Sequence, residues 1–276
     1  NKEINEIKKV LKSDFLTQGP KIEEFENALR NKFGSKYCTA VSSGTAALHL
    51  AGLSLGWEKN DYILTTPLTF LATVNSIVYC RSTPIFVDID PSTYCIDVNK
   101  LEKKIQELIK RNKKIKAIIG VDFAGHPCDW KSIRYLSKKY NLKSINDNSH
   151  AIGSSLKNNH KYGIKYADIV VQSYHSVKNI TCGEGGAVFT DNSQVNNFVK
   201  IMRSHAMIKS EEKQKKYGKW YYLMNNIGYN YRLSDIHASI GLVQLKKLDN
   251  FIKKRKTIAK FYNNYFSKFE DFTIPY

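Results

Sequence analysis

The sequence predicts an α/β fold in which a mostly parallel central sheet is covered by helices on both faces. Short apolar runs typical of strands alternate with helical segments, which is the order expected of parallel strands joined by crossover helices. The composition is that of an ordinary globular protein, with 42% hydrophobic and 25% charged residues in a chain of 276. A chain of this length can bury a large core.

The N-terminal part predicts a helix, a strand and a second helix. Pro20 suits the first position of a helix and Gly34 its end, and apolar residues recur between them at helical spacing. A short strand is expected at 37–41. The small residues that follow Ser42 then open an apolar helix that runs to about Leu55.

The rest of the chain continues the alternation until a long helix begins. After about Asn230 the pattern becomes purely helical, from Leu233 to about Phe266. Between Leu55 and this helix, strands are predicted at 62–65, 84–87, 116–121, 143–145, 169–173 and 187–190, and helices near 70–79, 98–111, 129–140 and 193–203.

Composition and charge disfavour several classes of protein. The chain has no apolar run of about 18 residues, so we expect no membrane span, and residues 1–11 do not resemble a signal peptide. Five cysteines without a C-x-x-C pair disfavour disulfides and zinc, and favour a reducing cytoplasm. The net charge of +18 comes from lysines spread over many helices. It favours solvated helix faces over a nucleic-acid site, although attraction of an anion such as a nucleotide diphosphate stays open.

The turn after the first strand has two interpretations. A strand, a small-residue turn and a helix N-terminus can bind a phosphate through free backbone N–H groups, and Gly44 would let the backbone approach closely. Alternatively, Ser43 only caps the helix and binds no ligand. The segment matches neither of the common nucleotide-binding glycine fingerprints.

Two later strands end in residues that can carry chemistry. Asp147 follows an apolar strand and can face a ligand or cap a turn, and His150 can orient it or be a satisfied loop histidine. Lys178 follows the next strand and precedes a glycine-rich turn, where desolvation would lower its pKa and favour an amine nucleophile. Taken alone, however, an ordinary surface lysine is the favoured interpretation in this lysine-rich chain. Metal binding by His150 with His175 lacks the usual spacing, so no metal site is predicted.

The combination of these groups favours pyridoxal phosphate (PLP). That cofactor needs a lysine, an acid facing the pyridine nitrogen, a phosphate cradle and an aromatic ring for stacking. Lys178, Asp147 and the turn at Gly44 supply the first three. Phe70 begins a helix after a strand and can supply the ring, although packing in the core is the commoner fate of phenylalanine.

Seven ordered segments resemble the DegT/DnrJ/EryC1/StrS family of sugar-nucleotide aminotransferases, which have the fold of type I PLP enzymes. The resemblance covers nearly the whole chain. It implies a large PLP-binding domain at 1–232, then a connecting helix and the start of a small C-terminal domain, otherwise largely missing, at 233–276. The segments are 16–20, 43–48, 66–70, 147–151, 175–179, 183–186 and 228–236.

The resemblance also implies roles for individual residues. Lys178 is expected to bind PLP covalently and to move the proton in catalysis, with His175 as an active-site neighbour. Asp147 is expected to keep the pyridine nitrogen protonated. A neighbouring subunit is expected to supply Asn230 to the phosphate site, which implies a homodimer with shared active sites. The remaining cofactor-binding residues expected are Gly44, Thr45, Ala46, Phe70, His150 and Ser173.

Within the family, the segments 121–125, 147–151 and 203–207 resemble the branch that makes a precursor of pseudaminic acid. That branch uses L-glutamate to aminate C4 of a UDP-linked 4-keto-6-deoxy-N-acetylhexosamine. Asn146 stands where the family usually has an acidic residue, and Ala206 where it usually has glycine. The family also contains sugar dehydratases with histidine at the position of Lys178, so dehydration is an alternative, as is a PLP- or sugar-binding regulator without turnover.

Overall fold

The computed structural model describes residues 2–156 and 162–274, and it confirms the predicted sheet. Every strand expected from the sequence is present, with ends that differ by up to two residues. The strands of the central sheet are β1 (Tyr37–Val41), β2 (Asp61–Thr65), β3 (Thr83–Phe86), β4 (Lys114–Val121), β5 (Lys143–Asp147), β6 (Ile169–Ser173) and β7 (Gly186–Thr190).

The order of the strands places their ends at a common edge. The sheet runs β1-β7-β6-β5-β4-β2-β3. Strands β3, β2, β4, β5 and β6 are parallel, and β7 pairs antiparallel with both β6 and β1. The loops that follow β2, β5 and β6 therefore emerge on the same side, where ligands of such sheets bind.

Helices lie where the sequence predicts them, and three more are present. The capping signals are confirmed: Pro20 occupies the first turn of its helix, and Gly34 ends it with a φ of 76°. The helices are α1 (Lys2–Leu11), α2 (Pro20–Phe33), α3 (Gly44–Ser54), α4 (Leu71–Tyr79), α5 (Val98–Lys110), α6 (Trp130–Lys139), α7 (Tyr162–Tyr166), α8 (Ser193–Met202), α9 (Glu211–Tyr217) and α10 (Asp235–Phe266).

Three of these helices and one small hairpin have no counterpart in the sequence prediction. The helices are α1, α7 and α9. The hairpin pairs β8 (Met207–Ile208) with β9 (Leu223–Met224), and α9 lies between its two strands.

The core lies on both faces of the sheet, as predicted. On one face Phe25 of α2 and Trp130 of α6 are fully buried, and on the other Leu50 of α3 and Ile77 of α4 are. Successive side chains of β4 alternate between the two clusters, because neighbouring residues of a strand point to opposite faces. Among the described residues, no helix has both the length and the apolar character needed to cross a membrane.

The start of α10 fastens the N-terminal segment to the sheet domain. Asp235 is fully buried, and its carboxylate accepts hydrogen bonds from the backbone N–H groups of Gly19 (2.7 Å) and Lys21 (2.9 Å). These are free donors at the N-terminus of α2, where a carboxylate is favourable. Ser234 caps α10 itself through the N–H of His237.

Candidate active site

A cleft of about 470 Å³ opens at the edge of the sheet where the parallel strands end. The loops after β1, β2, β5 and β6 form its walls. Most of the cofactor-binding and catalytic residues predicted from the sequence line this cleft, although they lie up to 134 positions apart in the chain. Those that line it are Gly44, Thr45, Phe70, Asp147, His150, Ser173, His175 and Lys178.

Two residues expected to contact the cofactor do not line this cleft in a single chain. Ala46 is buried, and its N–H already donates to the Ser43 hydroxyl at 3.0 Å. Asn230 is exposed and pairs with Ser204 in an isolated bridge. Asn230 therefore lies outside the lining of this cleft in the chain that the structure describes.

One end of the cleft is formed by the N-terminus of α3. Ser43 caps the helix by accepting a hydrogen bond from the Ala46 N–H, and Ser43, Gly44 and Thr45 all line the cleft. A Cβ atom at Gly44 would lie 2.8 Å from the Cβ of Ser173. The absence of a side chain therefore lets the turn lie against β6. Unpaired N–H groups and the helix dipole make this end favourable for a phosphate.

The carboxylate of Asp147 is held on both oxygens at the end of β5. Asp147 is 5% exposed. One oxygen accepts a hydrogen bond from the Thr73 hydroxyl at 2.7 Å, and the other accepts one from the backbone N–H of Ser149 at 3.2 Å. Each carboxylate oxygen can accept a further bond, so the group can also receive an N–H donor from a ligand in the cleft.

Lys178 is the half-buried amine of the site. Desolvation lowers the pKa of its ammonium group, and the nearby Asp147 carboxylate opposes this effect. In the part of the chain that the structure describes, no hydrogen bond or ion pair occupies the Lys178 ammonium. Desolvation of this kind favours the neutral amine, which is the form that acts as a nucleophile and a base.

His150 lies near Lys178, in surroundings that favour its neutral imidazole. Burial lowers the pKa of His150, the charge of Lys178 lowers it further, and Asp147 acts in the opposite sense. The backbone N–H of Ala124 approaches Nδ1 of His150 at 3.4 Å. If that nitrogen accepts, the proton of the neutral ring is on Nε2, which is then a donor.

Phe70 and His175 complete the walls. Phe70 is the residue that precedes the first turn of α4, and 66% of it is exposed, which rules out the core-packing alternative. Nε2 of His175 lies 3.6 Å from a carboxylate oxygen of Glu184 in the following turn. This contact is an ion pair only when His175 is protonated.

These features fit PLP. The glycine turn at α3 suits a phosphate, Asp147 suits a protonated ring nitrogen, Phe70 offers an exposed ring, and Lys178 offers a free amine. Sequence reasoning missed Thr69, Thr73 and Ser149, which hold or flank the Asp147 carboxylate. Ser149 lies two residues after the aspartate, a spacing typical of Asx turns. A threonine inside an apolar helix gives no such signal.

Comparison with known proteins supports this assignment. The model of the DegT/DnrJ/EryC1/StrS aminotransferase family matches residues 1–275. A UDP-4-amino-4,6-dideoxy-N-acetyl-beta-L-altrosamine transaminase of Campylobacter jejuni is 42% identical over 266 residues, which cover 96% of this chain and 67% of that protein.

Solved structures of sugar aminotransferases are also similar to this chain. PseC of Helicobacter pylori, an aminotransferase of pseudoaminic acid biosynthesis, has a TM-score of 0.87 and 34% identity over 98% of this chain and 69% of its own. The PLP form of the sugar aminotransferase Spr1654 of Streptococcus pneumoniae has a TM-score of 0.84 and 29% identity over 96% and 69%. The fold-type I prediction is thereby confirmed. The chain belongs to the DegT/DnrJ/EryC1/StrS aminotransferase family.

Proposed function

We propose that this PLP-dependent sugar aminotransferase transfers the amino group of L-glutamate to C4 of a UDP-linked 4-keto-6-deoxy-N-acetylhexosamine. The observation that carries the proposal is the half-buried, unpartnered Lys178 in one cleft with the held carboxylate of Asp147. The identity of 42% to a transaminase of a UDP-linked amino sugar supports this choice of substrate.

Each residue of the cleft has a separate role in this reaction. PLP, when bound, supplies an electron sink that stabilises negative charge on the reacting carbon. Lys178 binds the cofactor and, as a free amine of lowered pKa, accepts and returns the transferred proton. Asp147 would hold the ring at its nitrogen, and Phe70 would contact the ring. His150 stays neutral beside the lysine and so adds no second positive charge.

The phosphate is held at the N-terminus of α3. Gly44, Thr45 and Ser173 lie around this end of the cleft. Ala46 acts through the capped first turn of the helix rather than from the wall of the cleft. Backbone N–H groups hold the phosphate without a mobile side chain, so little conformational entropy is lost on binding.

We propose further that the enzyme works as a homodimer in which Asn230 of one subunit completes the phosphate site of the other. Asn230 is exposed and lies outside the cleft of its own chain. Large apolar side chains nearby in sequence are also exposed, among them Trp220 (74%) and Ile227 (84%). Exposed apolar surface of this kind is typical of a subunit interface.

The cellular role that we propose is the biosynthesis of pseudaminic acid or a related surface glycan, in the cytoplasm. The similarity to PseC supports the pathway. All five cysteines lie within the described residues as buried free thiols, which fits a reducing compartment.

The test is to incubate the protein with PLP, ¹⁵N-labelled L-glutamate and a panel of nucleotide-linked keto-sugars. We expect ¹⁵N at C4 of the UDP-linked 4-keto-6-deoxy-N-acetylhexosamine. Lys178→Ala should abolish the transfer, whereas Lys131→Ala, which removes an exposed lysine of α6, should retain it. Loss of a hydroxyl without gain of nitrogen would instead indicate a dehydratase. Failure of glutamate to convert PLP to its amine form would indicate a binding protein without turnover.

A further inference from the structure

Two hydrogen-bonded hydroxyl groups connect the wall of the cleft to the buried carboxylate of Asp147. The Thr73 hydroxyl lies 2.7 Å from one Asp147 oxygen and 2.7 Å from the Thr69 hydroxyl. Thr73 is fully buried, whereas Thr69 is partly exposed and lines the cleft. The two hydroxyl groups join the N-terminal end of α4 to the end of β5, 74 residues away in sequence.

The direction of both hydrogen bonds follows from the charge of the acid. An ionised carboxylate can only accept, so the Thr73 hydroxyl must donate to Asp147. Its single proton is then used, and the Thr69 hydroxyl must donate to the Thr73 oxygen. The bond from Thr69 therefore directs the hydroxyl proton of Thr73 towards Asp147, and the bond from Thr73 holds one carboxylate oxygen in place.

The choice of residue at position 73 is difficult to explain by helix formation. Threonine is a weaker helix former than the straight-chain residues, and within a helix its hydroxyl usually bonds to the preceding turn. Here the hydroxyl bonds to another element and to a charged group, and such hydrogen bonds are roughly twice as strong as neutral ones. Valine would have nearly the same shape without the hydroxyl.

We propose that Thr73 is a positioning residue for the cofactor-binding acid, with its proton oriented by Thr69. This inference rests on the proposed role of Asp147. The carboxylate has one donor on each oxygen, from Thr73 and from Ser149. Of these two donors from the described residues, loss of Thr73 leaves the longer bond from the backbone. The carboxylate then rotates more freely, so its alignment with a ring nitrogen in the cleft weakens.

The experiment measures two properties of the protein with PLP: the dissociation constant of PLP, and the pH midpoint of the visible absorption of the bound cofactor. Thr73→Val should weaken PLP binding about tenfold. It should also move the midpoint in the same direction as Asp147→Asn, by a smaller amount. Thr73→Ser keeps the hydroxyl and should restore both properties, and Thr69→Val should have a weaker effect of the same sign.

Ser76→Ala is the matched control. Ser76 is a fully buried hydroxyl on the same helix, and it donates to the backbone oxygen of Thr73 at 2.8 Å. Its loss should lower stability without moving the pH midpoint. An unchanged midpoint in Thr73→Val, or an equal shift in Ser76→Ala, would overturn the inference while the role of Asp147 stands. Unchanged properties in Asp147→Asn would overturn the proposed role of that acid, and the inference with it.

Discussion

Replacement of Gly186 by alanine tests how closely strand β7 lies against the turn at Ser43 and Gly44, where α3 begins. A Cβ atom at this position would lie 2.4 Å from the Ser43 carbonyl oxygen, 2.5 Å from its carbon and 2.7 Å from the Gly44 nitrogen. All three are backbone atoms, so no rotamer change relieves the contact. Gly186 is also paired with Val41 in the sheet, which prevents β7 from moving away freely.

The cost follows from these distances. Real Cβ atoms essentially never approach closer than 3.0 Å, so the backbone must separate by at least about 0.6 Å. Overpacking of a rigid interior typically costs about 1–3 kcal/mol, and we expect the upper end because only backbone can yield. If the free energy of unfolding falls by about 3 kcal/mol per molar urea, the urea concentration at the midpoint of unfolding should fall by about 1 M. The displaced turn should also bind the PLP phosphate about tenfold more weakly.

The assay is urea unfolding of the protein without cofactor, together with a PLP titration under native conditions. Gly56→Ala is the control, because Gly56 has a φ of +67° but no atom lies within 4 Å of the position that a Cβ would take there. It should lose about 1 kcal/mol of stability through backbone strain and no PLP affinity. A Gly186→Ala protein with unchanged stability and unchanged affinity would refute the close packing of β7 on the turn.

Two further perturbations test the charges around the cleft and the core. Lys178→Met should raise the pKa of His150, because the lysine charge lowers it. A histidine NMR titration measures this pKa, with Lys131→Met as the control. An unchanged pKa of His150 would contradict the proximity of the two groups. Arg203→Met should destabilise the protein by about 3 kcal/mol in urea unfolding, because the buried Glu26 carboxylate loses its cation and keeps the hydrogen bond from the Ala40 N–H. Adding Glu26→Gln should recover part of that loss, and no recovery would argue against an ion pair.

The sheet and the principal helices could be predicted because their apolar residues follow the expected periods. The prediction was less accurate where polar residues are buried near the cleft. Strand β5 was expected to end at residue 145, but it continues through Asn146 and Asp147, both of which are buried. A polar pair at the end of an apolar run looks like a loop, and only the neighbouring strands reveal that it belongs to the sheet.

The segment from Met207 to Met224 shows a second limit. It is rich in lysine, its strands have two residues each, and its helix buries no side chain, so no apolar period identifies it. Ala206, just before it, has a φ of 54°, a left-handed conformation in which glycine is more common. The sequence signal for such a backbone is the glycine that the family resemblance gives as usual at this position.

Site residues were predictable to different degrees. Asp147 ends β5 and Lys178 lies in the loop after β6, and the carboxyl ends of parallel strands converge at one edge of a sheet. Thr73 and Asp147 meet through a hydrogen bond between α4 and the end of β5, 74 residues apart in sequence, which local sequence does not encode. Asn230 is exposed and does not line the cleft of its own chain, so its role in a phosphate site shared between two subunits stays a prediction.

The most direct test of the central claim is to identify the lysine that binds PLP. The protein is incubated with PLP, reduced with borohydride, digested and mapped by mass spectrometry. The geometry predicts a single reduced adduct on Lys178, with the adduct lost in Lys178→Ala and retained in Lys131→Ala. An adduct on any other lysine in the native protein, with Lys178 unmodified, would contradict the account.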